Sequence, residues 1–330
     1  MLAETADFSI ISGFFLFFRA TPVYYMELKN SKEFLMSAVP VSYFCMFVHE
    51  PEHIRRFLLQ DLGEAGAKNL VLSHEILAKI AGDPGFADVL LKEVTDAGLT
   101  FCDAHSPFGA HWDMNCPYPA IRKQMFAFHK LILEICAYMK VDTITIHVGN
   151  NHFSPANNYP LEQNICWIKE TLAELLPVAE KLGITICIEN IWFPTNTPEI
   201  LLDIKSCFPT ENLGLCYDAG HANLMNKGRF DENSFPNNDW AAAGMPGPKW
   251  DDQILEKMLP HIVNCHLHDN WGVRDEHNLP GCGNVDWKHI MPTLLSAPRL
   301  KVIQGEICPL SKGVPFRKLV QTFNELLQMK

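Results

Sequence analysis

The sequence predicts an α/β fold: a (β/α)8 TIM barrel, with eight parallel strands closing on one another. Two observations carry this. From residue 41 onward, short apolar runs rich in β-branched residues alternate eight times with stretches of helical periodicity, and no antiparallel hairpin signal interrupts them. Seven of the eight runs also end at or beside a metal-capable side chain. Reactive groups gather in this way at the C-terminal ends of barrel strands.

The elements follow in order. A first strand is read at 41–48, and Pro51 then opens a helical pattern over 51–65 that stops before Gly66. The second strand, 69–73 in NLVLSHE, ends at His74 or Glu75, and the third, 99–105, follows Gly98 and delivers His105. A helix over 119–140 leads to the fourth strand, 142–148, with His147. Over 161–182 the apolar residues Ile165, Ile168, Leu172, Leu175 and Leu176 recur on one helical face, and Gly183 ends it. The fifth strand, 184–189, ends in Glu189. The sixth, 212–218, ends in Asp218 with His221 close behind. The seventh, 262–268, brings His266 and His268, and the eighth, 301–306, brings Glu306 before a last helix at 315–329. An open doubly wound sheet would carry a Gly-rich phosphate loop after its first strand, and Val48-His49-Glu50-Pro51 is no such loop.

Two regions stand outside this rhythm. Residues 1–40 form an N-terminal extension ahead of the catalytic barrel at 41–330. Its apolar stretch Ile10–Phe18 is too short to span a bilayer and follows Glu4 and Asp7 rather than a basic region, which argues against a signal peptide. It is either an added strand or helix capping the barrel, or chain upstream of a true start at Met36. The second region is the Pro-, Gly- and Asn-rich loop 229–250 after strand six, long enough to lie over the mouth of the barrel as a lid.

Composition narrows the function. A net charge of −11 over 330 residues, without a Lys/Arg block, disfavours a nucleic-acid partner. Eleven cysteines, an odd number with no CxxC pair, form neither a disulfide framework nor a zinc ribbon and fit a reducing cytoplasm with no membrane association. Six of them lie in or beside strand runs, where a thiol acts as a small core residue.

The chemistry concentrates on Glu189, Asp218, His266 and Glu306, from strands five to eight. Two carboxylates ~4 Å apart repel by about 4 kcal/mol at an effective dielectric of about 20. Three at one barrel mouth need a proton, an arginine or a cation, and no arginine is near. Oxygen ligands plus one imidazole suit a single divalent ion: Mn, Mg, Co or Zn. A second set, His105, His147, His221, Asp275 and His277, could enlarge the site by binding substrate or further metal. In Asp218-Ala-Gly-His221 the spacing can turn both side chains to one ion. For His266-Leu-His268, the expectation is one imidazole inside the barrel and one outside, with His266 inward. Trp112, Trp192 and Trp271 lie in loops on the mouth side and are candidates to stack on a sugar ring, although such tryptophans also build cores for long loops.

HSPFG (105–109), TIHVG (145–149), CIEN (187–190), CYDAGH (216–221), HLHDN (266–270), DEHNLPGCGNVDW (275–287) and GEI (305–307) together resemble the xylose isomerase-like barrel superfamily. Within it they look like the sugar phosphate isomerase/epimerase group, whose relatives include ketose 3-epimerases, hydroxypyruvate isomerase, inosose dehydratase and endonuclease IV. The resemblance covers about 41–330. It implies one metal held by Glu189, Asp218, His266 and Glu306. Glu189 and Glu306 would then move a proton α to a carbonyl of a carbohydrate through a metal-stabilised enediolate, while His221 contacts substrate oxygens. The arginine that follows the strand-seven histidine in ketose 3-epimerases has no close counterpart, since the nearest is Arg274. The same motifs also resemble endonuclease IV at His105, His147, Glu189, Asp218, His221, His266, Asp275, His277 and Glu306. That likeness implies up to three zinc ions and a phosphodiesterase. A non-catalytic sugar-binding barrel is the third reading. Homo-oligomeric assembly is left open.

Overall fold

The computed structural model describes residues 39–149, 154–227 and 231–329. Eight parallel strands close into a barrel in chain order: β1 (Val41–Tyr43), β2 (Asn69–Leu72), β3 (Thr100–His105), β4 (Thr143–Thr145), β5 (Thr185–Glu189), β6 (Leu213–Asp218), β7 (Ile262–Leu267) and β8 (Val302–Gly305). β1 pairs with both β2 and β8, which closes the ring. The α-helices are α1 (Glu52–Glu64), α2 (His74–Gly82), α3 (Phe86–Asp96), α4 (Pro119–Tyr138), α5 (Leu161–Leu182), α6 (Pro198–Ser206), α7 (Ala219–Met225), α8 (Phe235–Ala242), α9 (Ile254–Met258), α10 (Trp287–Leu295), α11 (Pro309–Lys312) and α12 (Phe316–Leu326). The chain is therefore a (β/α)8 barrel. Residues 1–38, which hold nearly all of the N-terminal extension, lie outside the described residues.

Each predicted strand is present but generally shorter than its apolar run. The run 41–48 pairs only over Val41–Tyr43, yet Phe44, Phe47 and Val48 stay buried. Packing at the mouth therefore extends the apolar pattern past the last ladder bond. α5 shows how the outer layer is held. Ile168, Leu172, Leu175, Leu176 and Ala179 are all buried, and the helix stops at Gly183, whose φ of +71° suits a residue without Cβ. Truncating such a leucine to alanine costs about 2–5 kcal/mol.

The barrel interior differs from this outer layer. Asp103, Thr143, Thr145, Asn264 and Gln304 are fully buried in it, as are Cys187 and Cys216, which pack with Val263 apart from the main core. Hydrogen bonds from Asn264 on β7 to Asp103 on β3 and Thr145 on β4 cross the interior. All eleven cysteines are free thiols.

Of the loop 229–250, residues 231–250 are described and contain α8. Ser234 caps this helix, and the fully buried Trp240 donates from Nε1 to the Trp192 carbonyl at 2.6 Å. Trp192 Nε1 in turn donates to Asp239 Oδ2 at 2.5 Å. This stretch is thus bound to the loop after β5 and backs the wall of the mouth, where the sequence suggested a lid. No helix among the described residues is long and apolar enough to cross a membrane.

Candidate metal centre

Strand alternation brings four of the predicted side chains to one point. Glu189 and Asp218 end β5 and β6, His266 lies opposite Asp218 on β7, and Glu306 follows β8 directly. His266 Nδ1 stands 3.2 Å from Glu306 Oε2, 3.3 Å from Glu189 Oε1 and 3.8 Å from Asp218 Oδ2. One ligand atom from each of the four lies within 4.8 Å of the others. Glu189 Oε2, His266 Nδ1 and Glu306 Oε2 are buried without a hydrogen-bond partner. His147 Nε2 approaches Glu189 Oε2 at 3.2 Å, but outside hydrogen-bond geometry. Buried polar atoms are nearly always paired. His266 Nδ1 and Glu306 Oε2, 3.2 Å apart, are two such orphans within the quartet, while the third, Glu189 Oε2, faces His105 and His147, and this donor set fits a divalent cation.

The electrostatics agree. Burial works against charge on His266, but Cys216, Glu306 and Glu189 outweigh it and raise its pKa well above the usual imidazole value. Burial likewise works to raise the Glu189 carboxyl, and His266, aided by His147 and His221, holds it well below the usual range. Without a cation, a proton on His266 supplies the positive charge that the carboxylates demand.

Among the described residues four further ligand groups adjoin this one. Two reuse His266, with His105 and Glu306 or with Glu189 and Cys216; His105, His147 and Glu189 form another, so Glu189 belongs to several. His105 Nδ1 donates to the Ser106 carbonyl at 2.9 Å and leaves Nε2 free for the site. Burial, with His147 adding to it, lowers the His105 pKa to about 3 and keeps the ring neutral. The last group is His221, His268, Asp275 and His277. Asp275 lies 2.9 Å from His277 Nε2, 3.5 Å from His221 Nε2 and 3.7 Å from His268 Nε2. His221 Nδ1 donates to the Asn190 carbonyl at 3.0 Å, and His277 Nδ1 to the Glu306 carbonyl at 2.8 Å. These tethers turn the free nitrogen of each ring toward Asp275, the outer-shell orientation that metal-binding imidazoles require. His277 adopts φ +47°, rare for a residue with Cβ, and stacks on His268 at 4.0 Å between ring centroids.

With this geometry in hand, comparison with known proteins identifies the lineage. The family model for xylose isomerase-like TIM barrels matches residues 67–298. The chain belongs to that family. An uncharacterised protein of Methanocaldococcus jannaschii, MJ1311, is 29% identical over 169 residues, 48% of this chain and 49% of that protein. Thus the chain spans about half the length of this curated relative. Solved structures align more fully. A D-tagatose 3-epimerase-like protein superposes with a TM-score of 0.64 at 21% identity, over 87% of this chain and 98% of its own. D-psicose 3-epimerase from Clostridium cellulolyticum gives 0.63 at 13%, over 87% and 99%. The TTHB071 protein from Thermus thermophilus, soaked with ZnCl2, gives 0.54 at 21%, over 87% and 97%. At these identities the likeness is one of fold.

In this xylose isomerase-like barrel, all nine predicted carboxylate and imidazole residues reach the mouth. Three expectations need revision. His268 does not point outward: residues two apart share a strand face, and its Nε2 lies 3.2 Å from Asp218 Oδ2. The second concerns the loop 231–250, which backs the wall rather than covering the mouth; Asp218, for its part, caps α7 by accepting at Oδ1 from the His221 N–H at 2.6 Å while Oδ2 faces the imidazoles. Of the three tryptophans, Trp192 lines a cavity of about 200 Å³ over the centre, Trp112 packs on Phe128, and Trp271 is 57% exposed outside that lining. The Asp-Ala-Gly-His motif has a steric cause, since a Cβ on Gly220 would sit 2.0 Å from the His268 ring.

Five lining residues were not among the sequence candidates: Phe108, Gly109, Asp113, Ile191 and Phe193. Phe108 is 46% exposed yet touches the rings of His74, His105 and His147, and Asp113 accepts from the Gly109 N–H at 3.0 Å. Only the place of these two after a strand-end histidine hinted at them. Among the described residues neither lysine nor arginine lines this cavity, Lys312 lines the one adjoining it, and Arg274 is exposed.

Proposed function

We propose that the chain is a metal-dependent sugar or sugar phosphate isomerase or epimerase. The observation that carries this is the meeting of Glu189, Asp218, His266 and Glu306 at one point, where His266 Nδ1 and Glu306 Oε2 are buried without a partner, with both glutamates lining the cavity. Glu189, Asp218, His266 and Glu306 would hold one divalent ion, Mn, Zn, Co or Mg. When bound, the ion would polarise a substrate carbonyl and stabilise the charge that develops on its oxygen. Glu189 and Glu306 approach His266 from different strands, so one carboxylate removes a proton α to that carbonyl and the other returns it. His221 and His147 border the same cavity and hydrogen-bond to hydroxyl groups. Phe108, Trp192 and Phe193 supply an apolar wall for the C–H face of a sugar and exclude water. This cavity of about 200 Å³ adjoins one of about 330 Å³ that shares His105, Phe108, His277 and Glu306, giving room in the ~300–1,000 Å³ range usual for small ligands.

A specific observation favours a second reading. The group of His221, His268, Asp275 and His277 has ligand geometry that a single-ion isomerase does not need, whereas a three-zinc phosphodiesterase does. Against it, among the described residues no lysine or arginine lines this cavity and Lys312 alone lines the adjoining one, whereas binding of a nucleic-acid backbone is dominated by phosphate neutralisation. Elemental analysis of protein purified without chelator, followed by a screen of ketoses and ketose phosphates for solvent deuterium uptake, tests both. One ion per chain with deuterium incorporation supports the isomerase. Three zinc ions per chain and cleavage of abasic DNA would overturn it in favour of the second reading.

A further inference from the structure

Beneath the candidate centre the barrel interior holds a carboxylate that packing does not explain. Asp103 on β3 is fully buried, and its Oδ2 has no partner. Burying a carboxylate is costly, and an apolar residue of similar size would fill the space at less cost. Its Oδ1, however, begins a continuous chain of contacts. It accepts from Thr143 Oγ1 at 2.9 Å and from Asn264 Nδ2 at 3.2 Å. The same Asn264 Nδ2 donates to Thr145 Oγ1 at 3.0 Å, and Thr145 Oγ1 lies 3.2 Å from His266 Nε2. A carboxylate can only accept, so it orients the Asn264 amide with Nδ2 inward and commits one hydrogen to Asp103 and one to Thr145. Thr145 is thereby held against the back of the His266 ring, whose other nitrogen faces Glu189 and Glu306.

We propose that Asp103, acting through Asn264 and Thr145, is a positioning residue that holds the His266 ring with Nδ1 aimed at the cation site. The idea rests on the cation-binding part of the proposed function and not on its sugar chemistry. Three strands contribute to the chain, so the barrel interior itself becomes the support of the centre. Removing an outer-shell partner of a metal-bound histidine lowers metal affinity by about 10–100-fold.

Cobalt(II) titration of chelator-treated full-length protein, followed by visible absorption, tests it without any substrate. Thr145→Val keeps the side-chain shape and removes the hydroxyl. It should weaken cobalt binding by about 10–100-fold and shift the ligand-field bands. Thr145→Ser retains the hydroxyl and should bind as the unaltered protein does. Asp103→Leu should weaken binding on the same scale, and Asp103→Leu/Thr145→Val should be no weaker than Thr145→Val alone, because both act through one chain. Unchanged affinity and spectrum in Thr145→Val overturns the proposal, even if Asp103→Leu fails to fold. Multiplicative losses in the double variant overturn it too, since Asp103 would then act apart from Thr145. If the unaltered protein takes up no cobalt, the cation reading falls first and this inference with it.

Discussion

Two ligand groups share the mouth of this barrel and are built on opposite charge balances. Glu189, Asp218, His266 and Glu306 set three carboxylates around one imidazole at the ends of consecutive strands. His221, His268, Asp275 and His277 set three imidazoles around one carboxylate, and they come from α7, the residue after β7 and the loop that follows it. The second group can neutralise itself, because Asp275 has an imidazole nitrogen 2.9 Å away and two more within 3.7 Å. The first has three acids for one ring and is bordered by nitrogens of His147, His221 and His268 at 3.1–3.2 Å. In the proposed function a hard divalent ion would balance those acids at the strand ends, whereas the nitrogen-rich group would prefer zinc. Three short distances join the two groups: 2.6 Å from the His221 N–H to Asp218 Oδ1, 3.1 Å from His221 Nδ1 to Glu189 Oε1, and 3.2 Å from His268 Nε2 to Asp218 Oδ2.

The largest effect expected from this contrast is at Glu189, which belongs to the quartet and to the His105–His147 group. Glu189→Gln should abolish proton exchange into substrate, a loss of at least about a thousandfold, while the thermal unfolding of the chelated protein stays cooperative. Exchange at the unaltered rate in this variant would remove Glu189 from the chemistry. Next in size is the effect of metal on stability. Adding a divalent ion at a hundredfold excess over its dissociation constant should stabilise the folded state by about 2.7 kcal/mol, read as a rise in Tm. Asp218→Asn should erase most of that rise. Asp275→Asn should leave it intact for manganese and reduce it only for zinc. If Asp275→Asn were as damaging to manganese binding as Asp218→Asn, the two groups would be one site, and the contrast between them would be lost.

The same contrast explains what the sequence could disclose. Glu189, Asp218, His266 and Glu306 each terminate an apolar run, so the period of two and the strand ends located them without any knowledge of loops. His277 could be named as a candidate, but not placed. Its position depends on a left-handed backbone conformation and on hydrogen bonds to Glu306 and Asp275, which no periodicity encodes. His268 shares the inward face of His266 because residues two apart lie on one side of a strand, the reverse of the outward position expected for it. Asp103 was invisible for a different reason. Within LTFCDAH it is one more residue of a strand, and only closure of the barrel brings it against Asn264, 161 positions later. Phe108 and Asp113 depend on the fold of a loop. Residues 1–38, the part of the chain for which two readings stood, lie outside the described residues.

The smallest expected effect is a pH dependence that separates the groups in cation-free protein. Burial opposes charge on His277, but Asp275 outweighs it and lifts the imidazole to about 10. The folded state then binds more protons than the unfolded chain between the unperturbed histidine value of about 6.5 and about 10. This contribution to stability is complete below about 6.5 and is lost as the pH rises through 10. His105 has the opposite sign. Its pKa is depressed to about 3, so its contribution is present above about 6.5 and is lost as the pH falls toward 3. Tm of the chelated protein should therefore decline on both sides of neutrality. His221 and His266 also have raised pKa values and add to the alkaline limb, so in His277→Gln that limb should be shallower, with the acidic limb retained. Zinc bound in the nitrogen-rich group must displace the His277 proton and an ion in the strand-end quartet the His266 proton, so each should flatten part of the alkaline limb, and only the zinc effect should shrink in His277→Gln. An alkaline limb unchanged in His277→Gln would show that Asp275 does not hold that proton, and the nitrogen-rich group would lose the self-neutralisation that sets it apart.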